Sequence, residues 1–151
     1  MIGYSSEVTI ARPPREVFEA LLDPERYAQW TDMVDMSFDA ADRPRVGTRG
    51  RFRLAKGPIK GMLEVELTEL EPDRRVVFQI AHPSLDWRSV AALEPAGTGT
   101  RLTYAGEIRL HGWRRLLEPL VAGEVRRGEG GEALRLKELL EGSPAPATAI
   151  A

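Results

Sequence analysis

The sequence predicts an α+β fold in which a curved antiparallel sheet of seven strands packs against one long C-terminal helix. Three features of the 151-residue chain lead to this prediction. Apolar and polar residues alternate along residues 4–12, and alternation returns in six successive runs between Met33 and Leu110. After His111 the apolar residues recur at helical spacing instead. A sheet and a helix that each have one apolar face bury both faces by packing together.

The composition is that of a single soluble domain. Hydrophobic residues make up 42% of the chain and charged residues 29%, which suffices for a core and is ordinary for a surface. The net charge of −2 argues against bulk attraction to nucleic acid or anionic membranes, although it leaves a local patch open. The absence of cysteine excludes disulfides, thiolate metal sites and cysteine nucleophiles. With neither a signal peptide nor a membrane-spanning apolar run, a cytoplasmic location is expected.

Two short helices are predicted after the first strand. Pro14 suits the first helical position because its fixed φ fits a helix and its missing N–H would be unpaired there. The apolar stripe of this helix comprises Val17, Phe18, Leu21 and Leu22. Asp23 is a candidate N-cap for a second helix at about residues 24–30, which presents Tyr27 and Trp30 to the interior.

The six strands that follow are separated by turns rich in Gly, Pro and Asp. The run "MLEVELTEL" alternates most clearly, and it predicts Leu63, Val65 and Leu67 inside with Glu64 and Glu66 on the solvent face. For the strand "WRSVAALE" the sequence does not decide which alternate residues point inward. A shift of one residue would exchange all of its inward-facing side chains for the outward-facing ones.

A long helix is predicted over residues 112–141. Its predicted apolar face comprises Trp113, Leu116, Leu117, Leu120, Val121, Leu134, Leu136, Leu139 and Leu140. Pro119 is expected to kink the helix by removing a backbone hydrogen bond. Four glycines within residues 123–131 cost roughly 0.5–1 kcal/mol each in a helix, so either its middle is locally weak or small residues are needed there. Residues 142–151, which are small residues and proline, are predicted to form a disordered tail.

Four stretches together resemble the START-like or SRPBCC superfamily, in particular its polyketide cyclase/dehydrase-type members. They are "VTIARPPREVFEALLDPERYAQW", "VGTRGRF", "ELTELEPDRRVVF" and "GTGTRLTYAGEI". The resemblance covers about residues 4–141, so residues 1–141 are expected to form one START-like ligand-binding domain. It implies a helix-grip fold with a deep cavity between the sheet and the C-terminal helix. Members bind lipids, sterols, polyketides or other hydrophobic molecules, and a minority are enzymes.

The candidate ligand-binding residues lie on the elements expected to surround such a cavity. They are Tyr27, Trp30, Phe52, Phe78, Trp87, Arg88, Tyr104 and Trp113. Arg88 would hold a carboxylate or enolate if it faces inward, and Trp113 would gate one end of the cavity. The residues Ser89, Ala91, Gly106 and Gly123 are small enough to leave volume for a ligand.

The other motifs favour structural roles. His82 and His111 have no partner at metal-ligand spacing, and the turn "HPSLD" does not bring a catalytic triad together. The glycine run at 128–133 lacks the preceding strand of a dinucleotide site. No metal and no cofactor are therefore predicted.

Basic residues recur along the predicted C-terminal helix, at Arg114, Arg115, Arg126, Arg127, Arg135 and Lys137. Glutamates at positions 118, 124, 129, 132 and 138 are interleaved with them. This pattern favours a solvated, salt-bridged helix face over an RNA-binding surface.

Three functions stay open at this point. The favoured one is binding of a small hydrophobic or amphipathic molecule, lipid- or polyketide-like. The second is a polyketide cyclase/dehydrase-type enzyme, and the third is a ribosome- or quinone-associated interaction protein. A small hydrophobic molecule is the expected partner, DNA is not, and RNA is disfavoured. The oligomeric state is left open.

Overall fold

A computed structural model describes residues 1–40 and 43–142, and it confirms the predicted α+β architecture. Within these residues, seven strands form one curved antiparallel sheet in the order β1-β7-β6-β5-β4-β3-β2. The strands are β1 (Ile2–Ile10), β2 (Met33–Phe38), β3 (Arg49–Leu54), β4 (Leu63–Glu71), β5 (Arg75–His82), β6 (Leu85–Ala96) and β7 (Gly99–Leu110). Strands β2 to β7 thus form a meander, and β1 pairs with the far side of β7.

The two short helices form between β1 and β2. Helix α1 spans Pro14–Leu21, and Pro14 occupies the start of the helix as predicted. A 3₁₀ turn, Pro24–Arg26, leads into helix α2, Tyr27–Trp30. The Asp23 carboxylate caps this turn by accepting a hydrogen bond from the backbone N–H of Glu25 at 3.1 Å.

The C-terminal helix α3 spans Glu118–Gly142 and follows a 3₁₀ segment, Gly112–Leu117. The predicted kink at Pro119 is wrong because this residue lies in the first turn, where a helix N–H has no intrahelical partner to lose. The predicted start of the α-helix at residue 112 is also wrong. Of the predicted disordered tail, Gly142 ends α3 and residues 143–151 lie outside the described part of the chain.

The predicted apolar face of this helix is wrong at four positions. Trp113, Leu116, Leu120 and Leu134 are exposed, whereas Ala133, Leu136 and Leu140 are buried. Leu120 and Leu136 lie about 160° apart around an α-helix, so they could not share one face. Residue 113 belongs to a 3₁₀ segment with three residues per turn, so the α-helical period does not extend back to it.

The sheet faces follow the predicted alternation. Leu63, Val65 and Leu67 are buried, while Glu66 lies on the outer face and pairs with Arg49 at 3.0 Å. On β6 the open question is resolved, because Trp87 is buried along with every second residue up to Leu93. The outer set of β6 therefore includes Arg88.

Three cations fasten α3 to the rest of the fold. Arg126 Nε donates to the carbonyl of Gly3 at 3.0 Å, and Arg135 Nε to that of Trp30 at 3.0 Å. Lys137 Nζ donates to the carbonyl of Thr9 at 2.7 Å. These contacts tie the helix to β1 and α2. Arg126 and Arg135 nevertheless remain exposed, as expected from the sequence, and Lys137 also pairs with Glu141 at 2.6 Å. Within the described chain, no helix is long and apolar enough to span a bilayer.

Candidate functional site

A small enclosed cavity lies between the concave face of the sheet and helices α1 and α2. Its free volume is about 10 Å³, roughly the space of one water molecule. Its lining comprises Leu21, Tyr27, Met33, Met36, Phe52, Val65, Val76, Phe78, Ile80, Ser89, Ala91 and Tyr104. The lining residues come from α1, α2 and strands β2 to β7. None of them belongs to α3, which only contacts the lining residue Tyr104 through Glu132. This cavity is therefore not the deep one between the sheet and the C-terminal helix that the sequence led us to expect.

Aromatic rings form a continuous layer around this cavity. The Tyr27 ring lies 5.2 Å from the Trp30 ring and 6.1 Å from the Phe78 ring, centroid to centroid. Trp30 in turn meets Tyr104 edge to face at 5.8 Å. Such contacts add about 0.5–1.5 kcal/mol each beyond the burial of area, so the layer holds its shape.

Six of the eight predicted ligand-binding residues belong to this interior. Tyr27, Phe52, Phe78 and Tyr104 line the cavity itself. Trp30 and Trp87 are buried one layer behind the lining. The Trp87 ring packs against Phe52 at 6.4 Å, and its Nε1 donates to the Tyr4 hydroxyl at 2.9 Å.

Arg88 and Trp113 are placed away from the cavity. Arg88 is exposed on the outer face of β6, where its guanidinium lies 3.8 Å from the carboxylate of Glu69. Trp113 lies in the 3₁₀ segment before α3 with 65% of its surface exposed. The inward Arg88 and the gating Trp113 expected from the sequence are therefore not found in this structure.

Two of the four small residues predicted to leave volume do lie at the cavity, namely Ser89 and Ala91. Gly106 has another role, since a Cβ at this position would lie 2.3 Å from the Tyr4 hydroxyl oxygen. Its missing side chain makes room for the ring of Tyr4. Gly123 lies on the exposed side of α3.

One end of the interior is polar. The Tyr104 hydroxyl donates to the carboxylate of Glu132 at 3.2 Å, and Glu132 is only 4% exposed. The Tyr27 hydroxyl donates to the carbonyl of Leu21 at 2.5 Å. Burial raises the pKa of Tyr27 strongly, and the nearby negative charges of Glu132 and then Asp23 raise it further. Tyr27 therefore stays protonated and acts as a donor.

Trp30 adds an unsatisfied donor to this interior. Its Nε1 is buried and has no hydrogen-bond partner in the structure. An unpaired buried N–H costs about 1–3 kcal/mol, which an acceptor oxygen nearby would recover.

Glu132 is the functional candidate that sequence interpretation missed, because it was assigned to a solvated helix face. That assignment is wrong for Glu132 and also for Glu118, which is 9% exposed. The spacing of Glu132 from the leucines that follow it would have indicated its burial. Glu132 precedes the buried Leu136 by four residues and the buried Leu140 by eight, which places all three on one stripe.

The β2 edge is the most irregular part of the cavity wall. The pairing of β2 with β3 shifts register between Val34 and Ser37, and Asp35 within this bulge adopts φ 55°. The bulge turns the half-buried Met36 toward the cavity beside Met33. Methionine side chains adapt to irregular spaces, so this edge is the part of the wall best suited to move.

Two larger depressions lie on the outer face of the sheet, with volumes of about 550 and 250 Å³. Charged side chains dominate their walls, among them Arg51 and Glu64 in the first and Asp86 and Arg109 in the second. These open grooves suit water and counterions better than an apolar molecule. The interior cavity is therefore the better candidate site.

Neither histidine lies at the cavity. His82 Nε2 contacts the carbonyl of Lys60 at 2.8 Å, and its Nδ1 accepts from the backbone N–H of Ser84 at 3.0 Å. Among residues 1–40 and 43–142, no group of three or more His, Asp or Glu side chains could hold a metal ion.

His111 should make folding stability depend on pH. Its Nε2 lies 3.0 Å from the carboxylate of Asp86 and its Nδ1 lies 3.1 Å from the carbonyl of Pro83, so both nitrogens donate only in the imidazolium form. The hydrogen bond to Asp86 and then that to Pro83 raise the pKa of His111 above its ordinary 6.5. Protonated His111 therefore adds to the free energy of unfolding. This contribution is complete below pH 6.5 and is lost as the pH rises through the raised folded-state pKa of His111.

Urea unfolding of the wild type and of His111→Gln, from below pH 6.5 to above the raised pKa of His111, tests this pH dependence. The difference in unfolding free energy between the two proteins should shrink as the pH rises. A difference that stays constant across the range would contradict it.

Comparison with known protein families and structures identifies relatives of this fold. A family model described as "Polyketide cyclase / dehydrase and lipid transport" matches residues 1–141. No curated protein matches the chain.

Solved structures with the same fold come from several sources. DynU16, from the dynemicin biosynthetic locus, is 22% identical with a TM-score of 0.69, over 95% of this chain and 49% of DynU16. The chain thus spans about half the length of DynU16. TTHA0849 from Thermus thermophilus is 21% identical with a TM-score of 0.73, over 94% of this chain and 99% of that one. Mll3558 from Rhizobium loti is 27% identical with a TM-score of 0.67, over 89% of this chain and 94% of Mll3558.

Proposed function

The chain belongs to the polyketide cyclase/dehydrase and lipid transport family, and we propose that it binds one small hydrophobic or amphipathic molecule in the interior cavity. Family membership and the related structures support a ligand-binding domain of the SRPBCC type. The observation that carries the proposal is the aromatic lining. Four rings and six aliphatic or methionine side chains face one space, with Ala91 and the hydroxyl of Ser89 completing it.

Binding requires the cavity to open. Sites for drug-sized ligands measure about 300–1,000 Å³, far above the 10 Å³ of free space present here. The bulged edge at Met33 and Met36 supports an opening on that side, because an edge strand with an irregular register loses few hydrogen bonds when it moves. A ligand would thus replace side-chain contacts between β2 and the aromatic layer.

The lining also favours a ligand chemistry. Flat apolar surface would stack on the rings of Tyr27 and Phe78. One ligand oxygen would accept from Tyr104 Oη, which would then turn away from the carboxylate of Glu132. A fused aromatic ketone, a quinone and a lipid with one polar end all meet this description. The buried carboxylate of Glu132 disfavours ligands whose only polar group is an anion.

Native mass spectrometry of the full chain tests the proposal. The protein would be analysed as purified and after incubation with a fatty alcohol, a sterol and an anthraquinone in turn. We expect a one-to-one complex with at least one class, which survives gentle desolvation because the ligand is enclosed. A clean unliganded mass in every case would contradict the proposal.

A second candidate function, an enzyme that moves a proton on a bound ketone, rests on the pair formed by Tyr104 and Glu132. A phenol that donates to a carbonyl oxygen and a carboxylate that accepts an adjacent C–H proton are the groups an enolisation or cyclisation needs. Here the two side chains are buried and hydrogen-bonded to each other at 3.2 Å. A bound ketone would therefore have to take the Tyr104 proton from Glu132, which frees the carboxylate to act as the base.

Conservative changes at this pair separate binding from catalysis. If the protein is an enzyme, Tyr104→Phe and Glu132→Gln should each lower kcat about 10²-fold or more while ligand affinity changes less than tenfold. Glu124→Gln, at an exposed glutamate of the same helix, is the matched control and should leave kcat unchanged. Turnover that survives both interior changes would remove these residues from catalysis.

A further inference from the structure

Three large apolar side chains are exposed together where the C-terminal helix begins. Trp113, Leu116 and Leu120 have 65%, 80% and 77% of their surface in contact with solvent. Residues three apart eclipse on a 3₁₀ helix and residues four apart lie on one face of an α-helix, so the three point to the same side. Single exposed leucines are common, but a contiguous group of this kind marks an interaction site. We call these three residues the apolar patch.

Two arginines lie beside the patch, together with one exposed acidic residue, Glu124, four residues after Leu120. Arg115 is exposed, and the Arg114 guanidinium lies 5.0 Å from the ring centre of Trp113. Glu118 is the one acidic residue within residues 112–123, and its carboxylate turns inward to accept from the backbone N–H of Leu110 at 2.9 Å. A chain with a net charge of −2 thus presents a local apolar and cationic surface.

We propose that the apolar patch docks the protein on the surface of an anionic lipid bilayer. Tryptophan prefers the headgroup level of a membrane, leucines insert just below it, and arginines attract anionic headgroups. Trp113, Leu116 and Leu120 with Arg114 and Arg115 supply these three elements on a single short segment. The inference goes beyond the proposed ligand binding and does not depend on it.

The same observations disfavour two other occupants. A second copy packed on this patch about a twofold axis would bring Arg114 and Arg115 close to their own counterparts. Three side chains also fall short of the roughly 800 Å² per partner that a stable interface buries. Nucleic acid would engage the arginines but would leave Leu116 and Leu120 in water.

Vesicle flotation of the full chain tests this docking. We expect the protein to float with vesicles of phosphatidylcholine and phosphatidylglycerol, to remain unbound with phosphatidylcholine alone, and to dissociate as salt is raised. Leu116→Ser with Leu120→Ser should lower the partition coefficient about tenfold or more. Both side chains are in solvent, so the variant should fold normally.

Two further variants complete the experiment. Leu134→Ser, which removes another exposed leucine of α3 at 48% exposure, should bind vesicles like the wild type. Arg114→Gln with Arg115→Gln should abolish the preference for anionic lipid. Absence of wild-type flotation, or equal flotation of the Leu116/Leu120 variant, would overturn the proposal. A concentration-dependent dimer that the same variant disrupts would also overturn it, in favour of self-association.

Discussion

Ala91→Leu is expected to abolish uptake of an apolar ligand, whereas Ala92→Leu is expected to leave it unchanged. Ala91 is buried and lines the cavity, so the added side chain takes the space that a ligand must occupy. Each misplaced methylene group in such a pocket lowers affinity about 10–200-fold. Ala92, its neighbour on β6, lies on the opposite face of the sheet.

Titration with the neutral fluorescent probe 1-N-phenylnaphthylamine measures this difference. The pair is matched because both changes add the same side-chain volume to one strand, one residue apart. Ala91→Leu should also lose about 1–3 kcal/mol of unfolding free energy through overpacking, so the titration is made where both variants are folded. Equal probe affinity in the two variants would place the ligand elsewhere.

Gly106→Ala is expected to destabilise the protein by about 3 kcal/mol or more. Its Cβ would lie 2.3 Å from the Tyr4 hydroxyl oxygen and 2.5 Å from the backbone oxygen of Arg88. The backbone oxygen belongs to the paired strand β6 and cannot move without disturbing the sheet. Displacing Tyr4 would also break the hydrogen bond that Trp87 Nε1 donates to its hydroxyl, and the buried Trp87 N–H would lose that partner.

Urea unfolding gives the measurement, and Gly128→Ala provides the control. Gly128 lies on the exposed side of α3, and nothing would lie within 4 Å of a Cβ placed there. This change should stabilise the protein by about 0.5–1 kcal/mol, because alanine is the better helix former. If Gly106→Ala had the same unfolding midpoint as the wild type, the close packing at Gly106 would be contradicted.

The sheet could be predicted from the sequence because its faces alternate residue by residue. Leu63, Val65 and Leu67 share one face because successive residues of a strand point to opposite sides. The cap at Asp23 was predictable too, because it involves a residue only two positions away. The facing of β6 was undecidable from its own residues. It is fixed by register, in which Ser89 stands opposite Gly106 on one side and Phe78 on the other.

The C-terminal helix could not be predicted in detail because its leucines lie all round it. Leu120 and Leu134 are exposed and Leu136 is buried, so composition alone does not identify the buried stripe. The buried Glu132 accepts a hydrogen bond from Tyr104, which lies 28 residues earlier in the chain, so local sequence does not reveal this partner. The aromatic site residues were predictable by type, whereas the free volume depends on how all the side chains pack together.

NMR spectroscopy of methyl-labelled protein with a bound apolar ligand would locate that ligand most directly. A ligand could contact the interior cavity or the apolar patch, and the methyl groups of these two surfaces are distinct. We predict intermolecular NOEs from the ligand to the methyl groups of Ala91, Val65 and Ile80, all of which line the cavity. NOEs confined to Leu116 and Leu120, or absent at a saturating ligand concentration, would contradict binding in the interior.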